Sequence, residues 1–309
     1  MVDEIIIRKN VKSLSSAEKQ DFVDAIKALK VNTKDAKIAD NRYDDYVVMH
    51  AQTMARSAGT DANSDMRNLA HRGPIFLPWH REYLRRFELE LRMAVPGVAI
   101  PYWDWTWDAV HKLTDSPIWS ADFMGGDGDP DDGFIVKDGP FKDWATQEAD
   151  QHTGKPTIKD RLRRTLGKEV SKLPTQIDVC NAFSFEFYDS PYWDVFSVGF
   201  RNALEGWTNG PQLHNRVHAW VGGSMEVNTS PNDPVFFLNH CNVDRLWSHW
   251  QDIRSDYGYP ANGKIVDRKC NPIAGSNLDD KMFPWEKEEK SKTIGDVLDH
   301  RKLGYLYEK

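Results

Sequence analysis

LHNRVHAW, residues 213–220, sets His214 and His218 four positions apart, with Asn215 and Arg216 after the first. On a helix that spacing puts both imidazoles on one face, their Cβ atoms about 6 Å apart. Gly222–Gly223 follow, so the segment reads as a helix over 211–221 closed by glycine. Two rings so placed can share a metal, share a carboxylate or face solvent. The neighbouring segments have to decide.

Outward from there, DPVFFLNHCNVDRLWSHWQDIR (233–254) opens with Asp233 as a cap and Pro234 in the first turn, and predicts a long helix that carries His240. FLPWHREYLRRFELELRMAV (76–95) is amphipathic, with Pro78 in its first turn and Leu77, His80, Leu84, Phe87 and Leu91 on one stripe. YDDYVVMHAQTMARS (43–57) predicts a helix with Val47, His50 and Met54 on one face. Ser15 and Glu18 form a capping-box signal for a helix over 15–30. The polar, glycine-containing stretch 58–73 is a loop that holds His71, and FRNALEGW (200–207) is a short helix.

EIIIRKN near the start and LGYLYE near the end read as short strands. IPYWDWTWD (100–108) reads as aromatic and extended, and 140–195 as alternating helix and loop. KDRLRRTLGK (159–168) reads as a solvated helix. No repeat period and no Pro/Gly/Ser linker interrupts the chain, which predicts one mainly α domain over 1–309.

A chain of 309 residues with 40% hydrophobic residues and 12 Trp can bury about three quarters of its unfolded surface and needs no staple to fold. A net charge of −7 argues against a nucleic-acid or anionic-membrane partner. Cys180, Cys241 and Cys270 form no CxxC pair, and an odd count of three suggests no disulfide framework and a reducing compartment. The N-terminal stretch is too short in apolar residues for a signal peptide, and no 18-residue apolar run predicts a membrane span. A cytoplasmic chain, or one exported by a partner, is the expectation. DGDPDDG (127–133) has Asp132 where a calcium loop needs glycine, so it reads as an acidic surface loop.

Of ten histidines, His111, His152, His249 and His300 stand alone. The other six fall into two triplets, His50, His71 and His80, and His214, His218 and His240, several of them on apolar stripes. A buried neutral imidazole needs one donor and one acceptor partner. A single core histidine finds these easily; a metal would satisfy several inward acceptor nitrogens together. A zinc peptidase helix would carry Glu where Asn215 stands. Shells made only of imidazole suit copper as well as zinc. Two such shells suggest a pair of ions able to do two-electron chemistry with dioxygen.

HRGPIFLPWHREYLRRFE (71–88), LHNRVHAWVGG (213–223) and SPNDPVFFLNHCNVDRLW (230–247) together resemble the tyrosinases, in their compact bacterial form. The likeness runs from IRKN through IPYWDW, IWSADFMGG and DGPF to DHRKLGY, almost the whole chain. It implies a four-helix bundle with two copper ions and dioxygen as co-substrate. One copper would be held by His50, His71 and His80, the other by His214, His218 and His240. The implied reaction is ortho-hydroxylation of monophenols such as tyrosine and oxidation of o-diphenols to o-quinones. Glu205 and Asn215 match family positions that orient a water as base. Phe236 would pack on the ligands, Ala219 would sit at the entrance, and Asp244 could accept from a ligand imidazole or pair with neighbours of Arg245. Many relatives carry His–His where this chain has Asn239–His240, which bears on substrate preference. The alternatives within the likeness are a catechol or o-aminophenol oxidase without hydroxylase activity, and a haemocyanin-like oxygen carrier. The chain ends soon after the last ligand helix, which predicts no C-terminal lid. The family includes chains that need a small copper-delivery partner, and dimers are open.

Overall fold

The computed structural model describes residues 5–62, 66–208, 212–254, 258–260 and 263–309. Helix α1 (Ser16–Leu29) begins with the expected capping box: the Ser15 side chain accepts from the Glu18 amide, and Glu18 reaches back to the Ser15 amide. Helix α2 (Arg42–Met54) is capped by Asn41, and α3 (Phe76–Ala94) carries Pro78 in its first turn. A short α4 (Trp105–Asp108) stands where an extended aromatic stretch is expected, because Asp104 caps it by accepting from the Thr106 amide. Then follow α5 (Gln176–Phe183), α6 (Phe200–Glu205), α7 (Leu213–Val221) and α8 (Val235–Ile253). Pro211, the start of the expected 211–221 helix, lies outside the described residues. Gly222 ends α7 at φ 66°; a Cβ there would meet Thr165 Oγ1 at 1.9 Å, so the glycine is required twice over.

The architecture is helical, with α2, α3, α7 and α8 forming a four-helix bundle around the two histidine triplets. Its core is aromatic. Phe87 of α3 lies flat on Phe237 of α8, ring centroids 3.6 Å apart, and Tyr83 stacks on the same ring. The apolar cluster they belong to draws residues from Val11 to Val297. Among the described residues no helix is long and apolar enough to cross a membrane.

The strands are small and peripheral. Near the start, β1 (Ile6–Arg8) pairs in parallel with β6 (Tyr305–Tyr307) at the far end of the chain. Between them, β2 (Gly128–Asp129) pairs with β3 (Ile135–Val136), and β4 (Ala145–Ala149) with β5 (Pro156–Arg161), both antiparallel. The β4–β5 hairpin overturns two expectations. Segment 140–195 is not alternating helix and loop, and 159–168 is not a solvated helix. Arg164 is fully buried and grips Asp233 with two bonds of 2.7 and 2.8 Å, while donating to the carbonyls of Met124, Gly125 and Gly126. Asp233 in turn accepts from the Val235 amide and so positions the start of α8.

Both chain ends are locked to the bundle by buried charge. Arg8 makes a two-pronged pair with Glu88 of α3 (3.1 and 2.9 Å) and reaches Asp244 of α8 at 3.3 Å. Asp244 also accepts from Arg81 Nε at 2.6 Å and from the hydroxyls of Tyr305 and Tyr307, while the Arg8 guanidinium lies 3.6 Å from the Tyr305 ring centre. Asp244 therefore does not serve a ligand imidazole, and its partners are not neighbours of Arg245 in sequence; two guanidinium groups and two phenols use its oxygens. Removing one member of a buried pair leaves an uncompensated charge, a cost of about 3–5 kcal/mol. Asp244→Ala is expected to lose stability of that order by denaturant unfolding, against under about 1 kcal/mol for Asp252→Ala, whose exposed carboxylate makes only a surface pair with Arg301.

Candidate metal centre

Each triplet is assembled by different means. His50 and His80 face inward from α2 and α3. His71 comes from the loop between them, where the Asn68 side chain accepts from the amides of Ala70 (3.0 Å) and His71 (2.7 Å) and so fixes the turn. His214 and His218 share one face of α7, and His240 projects from α8. In each group the three potential ligand atoms lie within 4.8 Å of one another. The structure thus brings all six sequence-predicted histidines together. The other four lie elsewhere: His111 stacks on Trp107, His249 touches Phe183, His300 packs by Tyr305, and His152 sits in an exposed turn where its amide donates to Asp150.

Main-chain carbonyls orient most of these rings. His50 Nδ1 donates to the Asn228 carbonyl (2.7 Å), His80 Nδ1 to Phe76 (2.8 Å) and His218 Nδ1 to Met225 (2.7 Å). His214 Nδ1 donates to Asn215 Oδ1 at 2.9 Å, with the Glu205 carbonyl 3.3 Å away. A carbonyl can only accept, so each of these rings carries its proton on Nδ1 and offers a bare Nε2 inward. Two of those acceptors, His50 Nε2 and His80 Nε2, are buried with no hydrogen-bond partner. His240 Nε2 lies 3.1 Å from His214 Nε2 and 3.4 Å from His218 Nε2. Nitrogens about 2.0–2.1 Å from one ion in tetrahedral disposition stand about 3.3 Å apart. Orphaned inward acceptors, an all-imidazole donor set and this spacing fit one transition-metal ion per group.

Phenyl rings pack the rest of the shell. Phe236 stacks on His240 (centroids 4.0 Å) and meets His50 and His218 edge-on, so it touches both groups. Phe76 does the same from another side, against His71, His80 and His214. Sequence reasoning singled out Phe236 and passed over Phe76, although HRGPIFLPWH places it one turn before His80.

A cavity of about 420 Å³ lies over the two groups, lined by His50, His71, His214 and His218 and opening past Trp207, Glu226 and Val227. Ala219 and Asn215 are in its wall. Glu205 is fully buried behind it, with Oε1 accepting from the Arg72 amide (2.7 Å) and Oε2 from Arg201 (3.1 Å). Burial raises its pKa, against the opposing pull of Arg201 and a hydrogen bond from Trp207. Asn239 is not in the cavity wall. Its Oδ1 accepts from the Trp105 indole at 2.9 Å, so its place in the structure is as a packing partner of α4.

Burial also keeps the six imidazoles neutral. Desolvation drives His50 down to about 3 and His218 to about 4, and holds His71, His80, His214 and His240 well below the ordinary histidine value. Metal binding needs that neutral form.

Taken together, fold and centre define a helical metalloprotein with two adjacent three-histidine sites for transition-metal ions. The common central domain of tyrosinase matches residues 40–253. The chain is 40% identical to a tyrosinase of Streptomyces glaucescens over 299 residues, which covers 95% of this chain and 96% of that one. It is 36% identical to the grixazone synthase of Streptomyces griseus, covering 98% and 99%. Its fold is similar to that of a polyphenol oxidase from Thermothelomyces thermophila, with a TM-score of 0.75 at 24% identity, over 100% of this chain and 90% of that one. The chain belongs to the tyrosinase family.

The neutral imidazoles make the metal-free protein acid-sensitive. Unfolded, each takes up a proton near pH 6.5; folded, each stays neutral, so stability is lost as pH falls below that value. The loss is up to about 1.4 kcal/mol per group per pH unit, and for His218 it ends near pH 4. Chelator-treated protein is expected to show a Tm that drops steeply from pH 7 to pH 5; a flat Tm would contradict the assignment.

Proposed function

We propose that His50, His71 and His80 hold one copper ion and His214, His218 and His240 the second, and that the chain hydroxylates monophenols ortho to their OH and oxidises o-diphenols to o-quinones. The carrying observation is the pair of buried three-histidine groups facing one open cavity. Bound there, the copper pair supplies two-electron redox chemistry with dioxygen.

What the chain itself does follows from the cavity. A space of about 420 Å³ accommodates a planar phenol, and Met54, Met225 and Val227 give it apolar walls. The methyl group of Ala219 leaves the mouth wide. Its openness favours an enzyme over an oxygen carrier with a covered site. The single-domain reading of 1–309 is supported by one apolar cluster that draws residues from Val11 to Val297.

A free phenol has a pKa near 10, so its hydroxyl proton must be taken up. Glu205 and Asn215 are assigned that task through a water between them. The Asn215 Oδ1 is occupied by His214, which leaves its amide NH₂ to hold the water oxygen. Glu205 has lone pairs beyond those used by Arg72 and Arg201, and burial makes it the more basic carboxylate. A second reading is oxidation of o-diphenols or o-aminophenols without hydroxylation; the relatives include a protein named as a synthase, not as a tyrosinase.

Two measurements test this. Protein loaded with copper salt alone is expected to hold two ions per chain and to turn tyrosine into a coloured quinone. Fewer than two ions would sink the ligand assignment, and a need for co-expressed protein would point to a delivery partner. Glu205→Gln is expected to lower tyrosine hydroxylation by at least about 100-fold while catechol oxidation falls far less. Equal losses on both substrates would remove Glu205 from the proton path, and wild-type activity on catechol alone would favour the second reading.

A further inference from the structure

One cation in the cavity wall has no role in the reading so far. Arg72 directly follows His71, and its backbone sits in the left-handed region at φ 65°, where a side chain other than glycine is uncommon. The conformation is held from behind: the Arg72 amide donates to the buried Glu205 carboxylate, itself fixed by Arg201. Arg201 is anchored by a two-pronged pair with Asp189 at 2.9 and 3.0 Å. Strain of this kind persists where the surroundings over-determine it, and often at ligand clamps.

That backbone directs a half-buried guanidinium into the cavity wall, 5.1 Å from the centre of the Trp207 ring. Trp207, 36% exposed, stands at the mouth. Among the described residues no carboxylate pairs with the Arg72 side chain, although most of the half-buried arginines of this chain are paired: Arg42, Arg85, Arg86, Arg163, Arg216 and Arg245. The other charged group in the wall, Glu226, is exposed, and among the described residues it makes no ion pair with Arg72. An aromatic ring on one side and free donors on the other make a fork suited to a carboxylate.

We infer that Arg72 is a specificity-determining residue: it pairs with a carboxylate on the tail of a bound phenol, so that the cavity sorts phenols by tail charge. This rests on the proposed function, which places the phenolic end at the histidines and leaves the tail at the mouth. The ligand class is a phenol bearing a short acidic side chain. The pair is partly exposed, so the preference is modest and weakens with salt.

The test uses the copper-loaded protein and three phenols of similar size: 3-(4-hydroxyphenyl)propionate, 4-ethylphenol and 4-(2-aminoethyl)phenol. The ratio of kcat/KM for the acid to that for the neutral phenol is expected to fall about five- to tenfold in Arg72→Gln, mainly through KM. Arg72→Lys should keep most of it, and Arg72→Glu should shift preference to the amine. Dissociation constants for the same compounds, by calorimetry without dioxygen, should move in parallel. An acid-to-neutral ratio that is the same in wild type and Arg72→Gln, or an Arg72→Glu variant that does not gain on the amine, overturns the inference. If no phenol is turned over but acid binding still depends on Arg72, the proposed function fails and the inference stands. If turnover is normal and the ratio is indifferent, the reverse holds.

Discussion

Everything in this molecule depends on a hydrogen bond that fixes which nitrogen of a buried imidazole is bare. In His50, His80 and His218 a main-chain carbonyl accepts a hydrogen bond from the Nδ1–H and leaves a bare Nε2 aimed inward. Without that constraint the rings would choose tautomers by local chance, and inward acceptors could satisfy one another or admit water. With it, the bundle carries a set of desolvated lone pairs that only a metal can collect. The strong depression of histidine pKa values is the same fact seen through proton affinity: an interior that refuses a proton is prepared for a cation that binds the neutral ring.

Holding such a set open requires a rigid frame, and the frame is built from buried arginines. Arg8, Arg81, Arg164 and Arg201 are each fully enclosed and paired with carboxylates on other segments or the next turn. The three cysteines are free. Cross-chain fixation that disulfides give to small secreted proteins is here provided by charge in the interior. Arg8 ties the first strand to α3 and α8, and Arg164 sets the start of the helix that carries His240. These pairs fix geometry more than they add stability, since burying charge costs nearly what the pairing returns.

The helices and their histidines were legible because both obey a local period. Apolar stripes at helical spacing located α2, α3 and α8, and His50, His80 and His240 fell on those stripes. The capping box at Ser15 and the glycines after Val221 marked helix ends correctly. The residues that were misread depend on partners far away in the chain. Arg164 reads as a surface residue in RLRR until Asp233, 69 positions on, is brought beside it. Asp244 reads as an outer carboxylate for a ligand until the two chain termini supply Arg8 and Tyr305. The carbonyls of Asn228 and Met225 could not be read at all, because a main-chain oxygen has no letter in the sequence.

The segment 225–228 has an unusual division of labour. Its backbone oxygens at Met225 and Asn228 steady one ring from each histidine group, whereas its side chains, Met225 through Asn228, face the cavity. Amino-acid replacement alters side chains and leaves carbonyls in place. Mutational drift along this stretch can therefore reshape what enters the cavity while the geometry of the reactive centre is inherited intact. A redesign aimed at new aromatic substrates has its safest starting ground there.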